Sequence, residues 1–305
     1  MASSNKILQG ERSEIDLNSV DYPECLKEIP DPPSKLRVVG NVSALEQGLG
    51  IIGARKATPY GKSCATHFGE LCAKNGVTVV SGGALGCDCA SMKAALEAGG
   101  TTVGFLASID DVYPKSNFSL FQRIIDSGGA VVSENDWSAF CLPYMFRARN
   151  RLIAGLSKAI LIVEAGVPSG TFSTADDALD ANRDVLAVPG SITSKNSAGS
   201  NRLIYQGATP IIDDETFLDE LNRLFGCLKS KPVPKVIEDS NLTEVDRRIL
   251  EAVNASNLTV DEMIALAEGV VLPDEVMSWM MLWIAKAKSA GWIAQYPDGT
   301  YGPKV

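Results

Sequence analysis

Residues 49–106 read LGIIGARKATPYGKSCATHFGELCAKNGVTVVSGGALGCDCASMKAALEAGGTTVGFL. Short apolar runs alternate here with amphipathic segments of helical length. Gly50–Gly53 has the pattern of a buried strand. Tyr60–Asn75 spaces its apolar residues as a helix does, and Gly76 is the stop that follows. Val77–Val80 is the next strand. Asp88–Ala98 is the next helix, ended by Gly99 and Gly100, and Thr102–Leu106 the third strand. Strands that are apolar throughout need cover on both faces. β–α alternation supplies it, so the expectation is an α/β protein with a doubly wound, mostly parallel sheet.

The same pattern continues outward. Ala130–Ser133, Ala159–Val163 and Val185–Val188 read as strands, and Phe118–Asp126, Gly170–Asn182 and Asn201–Tyr205 as helices. Upstream, residues 1–20 are polar and expected to be loosely ordered. Tyr22–Gly40 is proline-punctuated, with apolar anchors at Leu26, Ile29 and Leu36. Residues 1–40 thus read as an extended arm and residues 41–226 as the α/β domain. Residues 227–239 carry Pro232 and Pro234 and read as a linker. In residues 240–305, helices at Leu242–Val253, Val260–Ala267 and Asp274–Ala290 precede a hairpin with a turn at Gly299, the order of a small winged helix. The third helix contains MSWMMLWIAKAKSAG, with Lys286 and Lys288 its cations. A groove reader presents more cations and amides, so this helix reads as a packing or protein-contact element ahead of a duplex reader.

Composition narrows the function. The 305 residues carry a net charge of −9, which argues against broad nonspecific binding of nucleic acid. It leaves room for a local basic cleft, whose field is set by nearby charges. No apolar run approaches the roughly 18–20 residues of a membrane span, and the N-terminal stretch has no signal-like apolar core. A cytoplasmic protein without membrane contact is expected. The seven cysteines form no CxxC pair, so reduced thiols and no structural zinc are expected. No GxGxxG follows the first strand and no GxxxxGK[ST] occurs, which speaks against dinucleotide and nucleoside-triphosphate cofactors. His67, the one histidine, falls inside a helical pattern, and a Ser-His-Asp site is unsupported.

The chemistry gathers at strand ends, where doubly wound sheets bind ligands. One loop carries Arg55 and Lys56 before a helix start. Ser81-Gly82-Gly83-Ala84-Leu85-Gly86 allows close backbone approach and an anion nest. Lys115 follows Tyr113-Pro114, and Ser169-Gly170-Thr171 is hydroxyl-rich at another helix start. The segment Phe146-Arg147-Ala148-Arg149-Asn150-Arg151 packs three cations and an amide beside an aromatic ring. Arginine forks onto phosphate oxygens, and Phe146 offers a base a stacking face. A polyanion with bases fits this set. The bland alternative is a solvated helix start with arginine–carboxylate pairs.

These stretches together resemble the DNA-processing protein A (DprA, also called Smf) family. The resemblance runs through YPECLKEIPDPP, GARKATPYG, VVSGGALGCD, GGTTVGFLASIDDVYPKSN, SGGAVVSE, FRARNRLIAGLSKAILIVEAGVPSGTFSTADDALDANRDVLAVPGSI and GSNRLIYQGA, about Tyr22–Ala208. It implies an extended Rossmann-like domain that binds single-stranded DNA, forms a homodimer and helps load the RecA recombinase in natural transformation. It places the DNA pocket on Arg55, Ser81–Gly86, Lys115 and Phe146–Arg151. The chain departs from the family pattern at Cys87, at Met92, where a histidine is usual, and at Arg147, where proline is usual. It also has a shortened N-terminal region. Two other readings compete with non-enzymatic binding. One is a nucleoside-monophosphate phosphoribohydrolase like the lysine-decarboxylase-like enzymes; separately, Glu164, ending a strand, reads as either a base or a carboxylate that hydrogen-bonds a loop. In the enzyme reading Pro168–Asp176 stands displaced from the PGGxGTxxE motif. The other is a winged-helix transcription factor.

Overall fold

The structure, a computed structural model, describes residues 7–226 and, beyond them, 242–255, 258–267, 272, 276–290, 292–295 and 299–303. Its contacts divide the chain into two units, Met1–Leu228 and Lys229–Val305. The linker expected over 227–239 lies outside the described residues.

The first unit is built on a nine-stranded sheet. The strands are β1 (Arg12–Asp16), β2 (Lys35–Gly40), β3 (Gly48–Ile52), β4 (Val79–Ser81), β5 (Thr102–Phe105), β6 (Ala130–Ser133), β7 (Ser157–Ile162), β8 (Asp184–Ala187) and β9 (Thr209–Pro210). Their spatial order is β1-β2-β6-β5-β4-β3-β7-β8-β9. From β3 to β9 every pairing is parallel, while β2 pairs antiparallel with β6 and β1 with β2. The chain winds outward from β3 through β4 and β5 to β6, then returns to lay β7 on the other side of β3. The switch of direction therefore falls between β3 and β7. In such sheets the crevice for a ligand opens there, beyond the carboxyl ends of the strands.

Helices cover both faces. They are α1 (Glu24–Lys27), α2 (Pro59–Lys74), α3 (Cys87–Glu97), α4 (Phe118–Asp126), α5 (Pro143–Gly155), α6 (Thr171–Asp180), α7 (Ala198–Tyr205) and α8 (Asp214–Phe225). Side chains alternate along β7: Ala159 and Leu161 join Phe68, Met92, Phe121 and Phe217 from α2, α3, α4 and α8. Ile160 and Ile162 join Leu26, Leu152, Ala178 and Leu203 from α1, α5, α6 and α7. The period of two thus sends successive residues into two separate cores. Met92, at the place of the family's histidine, is fully buried in the first.

The edges correct the sequence reading. Arg12–Asp16 lies in the part expected to be loosely ordered, yet it pairs with β2, from Arg12 opposite Val39 to Asp16 opposite Lys35. It buries Ile15 and turns charged residues outward, as suits an edge strand. One apolar anchor in five residues is too weak a pattern to announce a strand. Leu36, Leu26 and Ile29 are buried as the anchor reading requires, but the arm is woven into the sheet through β2. Helix α8, for which the sequence reading has no counterpart, is opened by a capping box between Asp213 and Thr216.

The second unit contains α9 (Glu244–Ala255), α10 (Val260–Ala267), α11 (Val276–Ser289) and an antiparallel pair, β10 (Ile293–Gln295) with β11 (Tyr301–Pro303). Residues 273–275 and the turn residues Pro297 and Asp298 lie outside the described residues. Thr243 accepts from the Asp246 N–H, while the Asp246 carboxylate accepts from the Thr243 N–H and hydroxyl at 2.7 Å each and from Trp283 Nε1 at 2.7 Å. These bonds satisfy a buried carboxylate and hold it below the ordinary range despite its burial. Ile249, Val253, Met263, Met280 and Ile284 fill the small core. No helix among the described residues is long and apolar enough to cross a membrane.

Candidate functional site

A pocket of about 830 Å³ opens at the switch point. The loop after β3 supplies Gly53, Ala54, Arg55 and Lys56. The segment after β7 supplies Gly166, Pro168, Ser169 and Gly170, and α6 adds Thr171 through Thr174 and Asp176. The wall between them is α5, which presents Pro143, Phe146, Arg147, Asn150 and Ile153. Those positions recur every three or four residues, one stripe of a helix. The N-termini of α5 and α6 both reach the pocket, and helix N-termini favour anions.

The β3 loop is held from behind. Glu164, just past β7, is buried and accepts from the Thr58 N–H at 2.9 Å and the Thr58 hydroxyl at 2.6 Å. The Thr58 hydroxyl in turn accepts from the Gly61 N–H at 3.1 Å and caps α2. The carboxylate considered as a base is therefore committed to the loop it supports. Arg55 and Lys56 stay exposed at the mouth. The Arg55 guanidinium lies 5.6 Å from the centre of the Phe146 ring, and Tyr113 meets that ring edge-on at 5.5 Å. Asn196, from the loop after β8, donates to the Lys56 carbonyl at 3.4 Å.

The arginine cluster separates. Helix α5 begins at Pro143, so the whole Phe146–Arg151 segment is helical. Residues two apart on a helix point in roughly opposite directions, about 200° apart. Arg147 lies on the pocket stripe and is exposed. Arg149 falls between that stripe and the core and is 5% exposed. Arg151, one helical turn after Arg147, is not among the lining residues and forks onto Glu134 at 2.7 and 2.6 Å, with Asp31 at 3.3 Å. The expectation of three cations in one site is corrected to two at the pocket, Arg147 and Arg149. For Arg151 the plain arginine–carboxylate pair is the outcome.

The glycine loop is also corrected. The Ser81 hydroxyl donates to the Ile51 carbonyl at 2.6 Å. Gly82 makes room for Arg149, since a Cβ there would stand 1.6 Å from Nη1. Gly83 abuts Phe121. Gly86 takes a left-handed φ of +88° as α3 begins. Only Ala84 of this loop reaches the pocket lining, and its N–H points to Asp88 at 3.4 Å. Asp88 also accepts from the Gly53 N–H at 3.3 Å. Burial pushes the Asp88 carboxyl up, while Arg149 pulls it back. Burial lowers Arg149 to about 10, still charged at neutral pH. Its Nη1 donates to the Phe105 carbonyl at 3.1 Å, and Nε has no hydrogen-bond partner. The loop thus serves Arg149 and Asp88 at the pocket floor rather than an outside anion.

Of the remaining expected residues, Ser169, Gly170, Thr171 and Asn150 line the pocket, and Lys115 is exposed outside it. The Ser169 and Thr171 hydroxyls lie 2.6 Å apart, and Asn150 donates to Ser173 at 3.4 Å. The sequence reading misses Asp88, Asp176 and Asn196. Asn196 was signalled by its place after a strand end, and Asp88 by its place in the first turn after the glycine loop. The lining holds four cations, Arg55, Lys56, Arg147 and Arg149, against two carboxylates, Asp88 and Asp176. It is locally positive in a chain of net charge −9. Among the described residues no group of three or more His, Cys, Asp or Glu is arranged to hold a metal ion.

Known proteins share the sequence and fold of the first unit. The family described as DNA recombination-mediator protein A matches residues 14–222. Protein Smf of Escherichia coli (strain K12) is 34% identical over 288 residues, 93% of this chain and 76% of that protein. DNA processing protein DprA of Bacillus subtilis (strain 168) is 36% identical over 210 residues, 68% of this chain and 70% of that one. The X-ray structure of DprA from Streptococcus pneumoniae superposes with a TM-score of 0.63 at 33% identity, covering 69% of this chain and 74% of that one. A Helicobacter pylori DprA structure, which concerns that protein's single-stranded DNA binding mode, gives 0.64 at 31% identity and covers 72% and 99%. With its Rossmann-like sheet and the family match running from β1 into α8, this chain belongs to the DNA recombination-mediator protein A family, the DprA/Smf group of DNA-processing proteins.

Proposed function

We propose that this protein binds single-stranded DNA at the β3/β7 pocket and acts by binding, without chemistry of its own. The observation that carries the reading is the lining: four cations and two helix N-termini around a cleft with an aromatic ring at its wall. Phosphates meet arginine forks and backbone N–H groups, which carry little sequence information, so base preference is weak. The Helicobacter pylori relative's single-stranded DNA binding supports the same ligand. In this reading the protein is a cytoplasmic homodimer that shelters incoming single strands and assists RecA loading during transformation and recombination. We read residues 240–305 as a winged helix serving protein contacts, since α11 exposes Met277, Met281 and Leu282.

The test is binding of an oligothymidylate and of a duplex at two salt concentrations. The single strand binds more tightly, and its affinity falls as salt rises because bound phosphates release counterions. Equal affinity for both forms, or affinity indifferent to salt, contradicts the reading.

A further inference from the structure

Helices α5 and α6 both line the pocket and pack against each other. The Asn150 amide donates to the Ser173 hydroxyl at 3.4 Å, which marks the rows that meet. On α5 the flanking positions are Arg147 and Arg151, four residues apart and so one turn above the other. On α6 the residue one turn after Ser173 is Asp177, which is half-buried. Asp177 therefore faces the two arginines, and both act on its carboxyl. Among the described residues it closes no ion pair with either.

The two arginines differ in what they are free to do. Arg151 is forked onto Glu134 and has Asp31 at 3.3 Å. Arg147 is exposed and lines the pocket. The other charges around α6 are engaged elsewhere. Lys158 of β7 donates to the Leu224 carbonyl at 2.8 Å, and Asp184 of β8 pairs with Arg223 at 2.6 Å. Arg183, after α6, pairs with Glu28 at 2.9 Å, and Glu164 is held by Thr58. Arg202 of α7 lies along a different row of α6, in the groove lined by Asp176 and Leu179. On α6 itself Asp176 and Asp180 are exposed. Burial, then Asp180 and Asp176, raise the Asp177 carboxyl to about 6, while Arg147 and Arg151 oppose the rise.

We infer that Asp177 couples strand binding at Arg147 to a proton: the phosphate held by Arg147 and the ionised carboxylate behind it repel each other, so the strand is held more tightly when Asp177 is protonated. The inference rests on the proposed function of the pocket and adds its regulation by pH. A phosphate brought to Arg147 adds negative charge near Asp177 and raises its affinity for a proton. By reciprocity, protonation raises the affinity for the strand by the same factor. Arg147 meets the phosphate in either state; what changes is the charge opposing it. Affinity therefore falls as pH rises from about 5.5 to about 7.5.

The experiment measures oligothymidylate binding to the full chain and to its Asp177→Asn and Arg147→Ala variants at about pH 5.5 and about pH 7.5, at one ionic strength. The strand ends in hydroxyls, because a terminal phosphate itself titrates at about 6. Thymine and the phosphodiester do not titrate in this range. The parent is expected to bind about fivefold more tightly at the lower pH. Asp177→Asn binds at the higher pH as tightly as the parent does at the lower, and its affinity is the same at both. Arg147→Ala binds more weakly than the parent and loses most of the pH dependence. Equal parent affinity at the two pH values overturns the coupling and leaves the pocket reading standing. So does an Asp177→Asn protein that keeps the parent's pH dependence, which assigns it to another group. So does an Arg147→Ala protein that keeps it, which shows that Asp177 does not act through Arg147. A parent protein that binds no single strand at either pH overturns the pocket reading, and the coupling with it.

Discussion

The loops after β3 and β4 leave neighbouring parallel strands at the same edge of the sheet, and they have opposite fates. The β3 loop is braced from below by Glu164 and keeps Arg55 and Lys56 in the open. The β4 loop, richer in glycine, folds inward: Gly82 yields its space to the Arg149 guanidinium, and the Ala84 N–H faces Asp88. A glycine-rich strand end is therefore not by itself an anion site. What decides is whether a buried charge already claims the backbone donors. The β3 loop is free to hold a ligand because its carboxylate partner sits at its back, whereas the β4 loop is consumed by the charges beneath it.

Removing the buried Asp88 carboxyl breaks this contrast most severely. Asp88→Ala leaves the Gly53 and Ala84 N–H groups without their acceptor and takes away the carboxyl nearest in charge to Arg149. The expected loss is about 3 kcal/mol in urea unfolding. A loss below about 1 kcal/mol means the β4 loop does not depend on that carboxyl.

Arg151 and Arg55 sharpen the comparison at the next scale. Arg151→Ala strips the Glu134 fork and costs about 2 kcal/mol of stability, with single-strand affinity within twofold of the parent. Arg55→Ala does the reverse: native circular dichroism and an unfolding midpoint near the parent's, with affinity down about tenfold. Exchange of these two phenotypes contradicts the assignment of the cations.

The smallest effect concerns Asp177. Burial, then the neighbouring Asp180 and Asp176, raise its carboxyl to about 6, against the opposing pull of Arg147 and Arg151. The folded state holds this proton more tightly than the unfolded state, so stability falls as pH rises from about 4 to about 6. Asp177→Asn removes that fall. At pH 7.5 the variant is more stable by about 1 kcal/mol, allowing for solvent screening, and at pH 4 the two proteins are alike. Identical pH profiles contradict the shift.

The parallel centre of the fold was legible because β3 to β8 are apolar on both faces, a pattern with few alternatives. Its edges were not. β1 shows one buried apolar residue, and β9 is two residues long. In the site, Arg55, Lys56, Arg147 and the Ser169–Thr171 turn were legible from their places at strand and helix ends. The division of Arg147, Arg149 and Arg151 was hidden by where α5 starts. Pro143 at the first helical position signals that start. Counting the helical period from it puts 146, 147, 150 and 153 on one stripe and 149 about 200° from 147, whereas 151 stays one turn from 147 and is drawn off only by Glu134. The roles of Gly82 and Asp88 depend on a guanidinium arriving from α5, a contact between segments some sixty residues apart, which local pattern does not carry.

The central claim is that the cations lining the β3/β7 pocket hold phosphates and that the rest of the arginine cluster does not. The most direct measurement is the log–log salt slope for oligothymidylate binding by the parent, Arg147→Ala and Arg151→Ala proteins. The slope falls by about 0.7 in Arg147→Ala, one phosphate contact on a single strand, and stays unchanged in Arg151→Ala. An unchanged slope in Arg147→Ala, or a reduced one in Arg151→Ala, contradicts it.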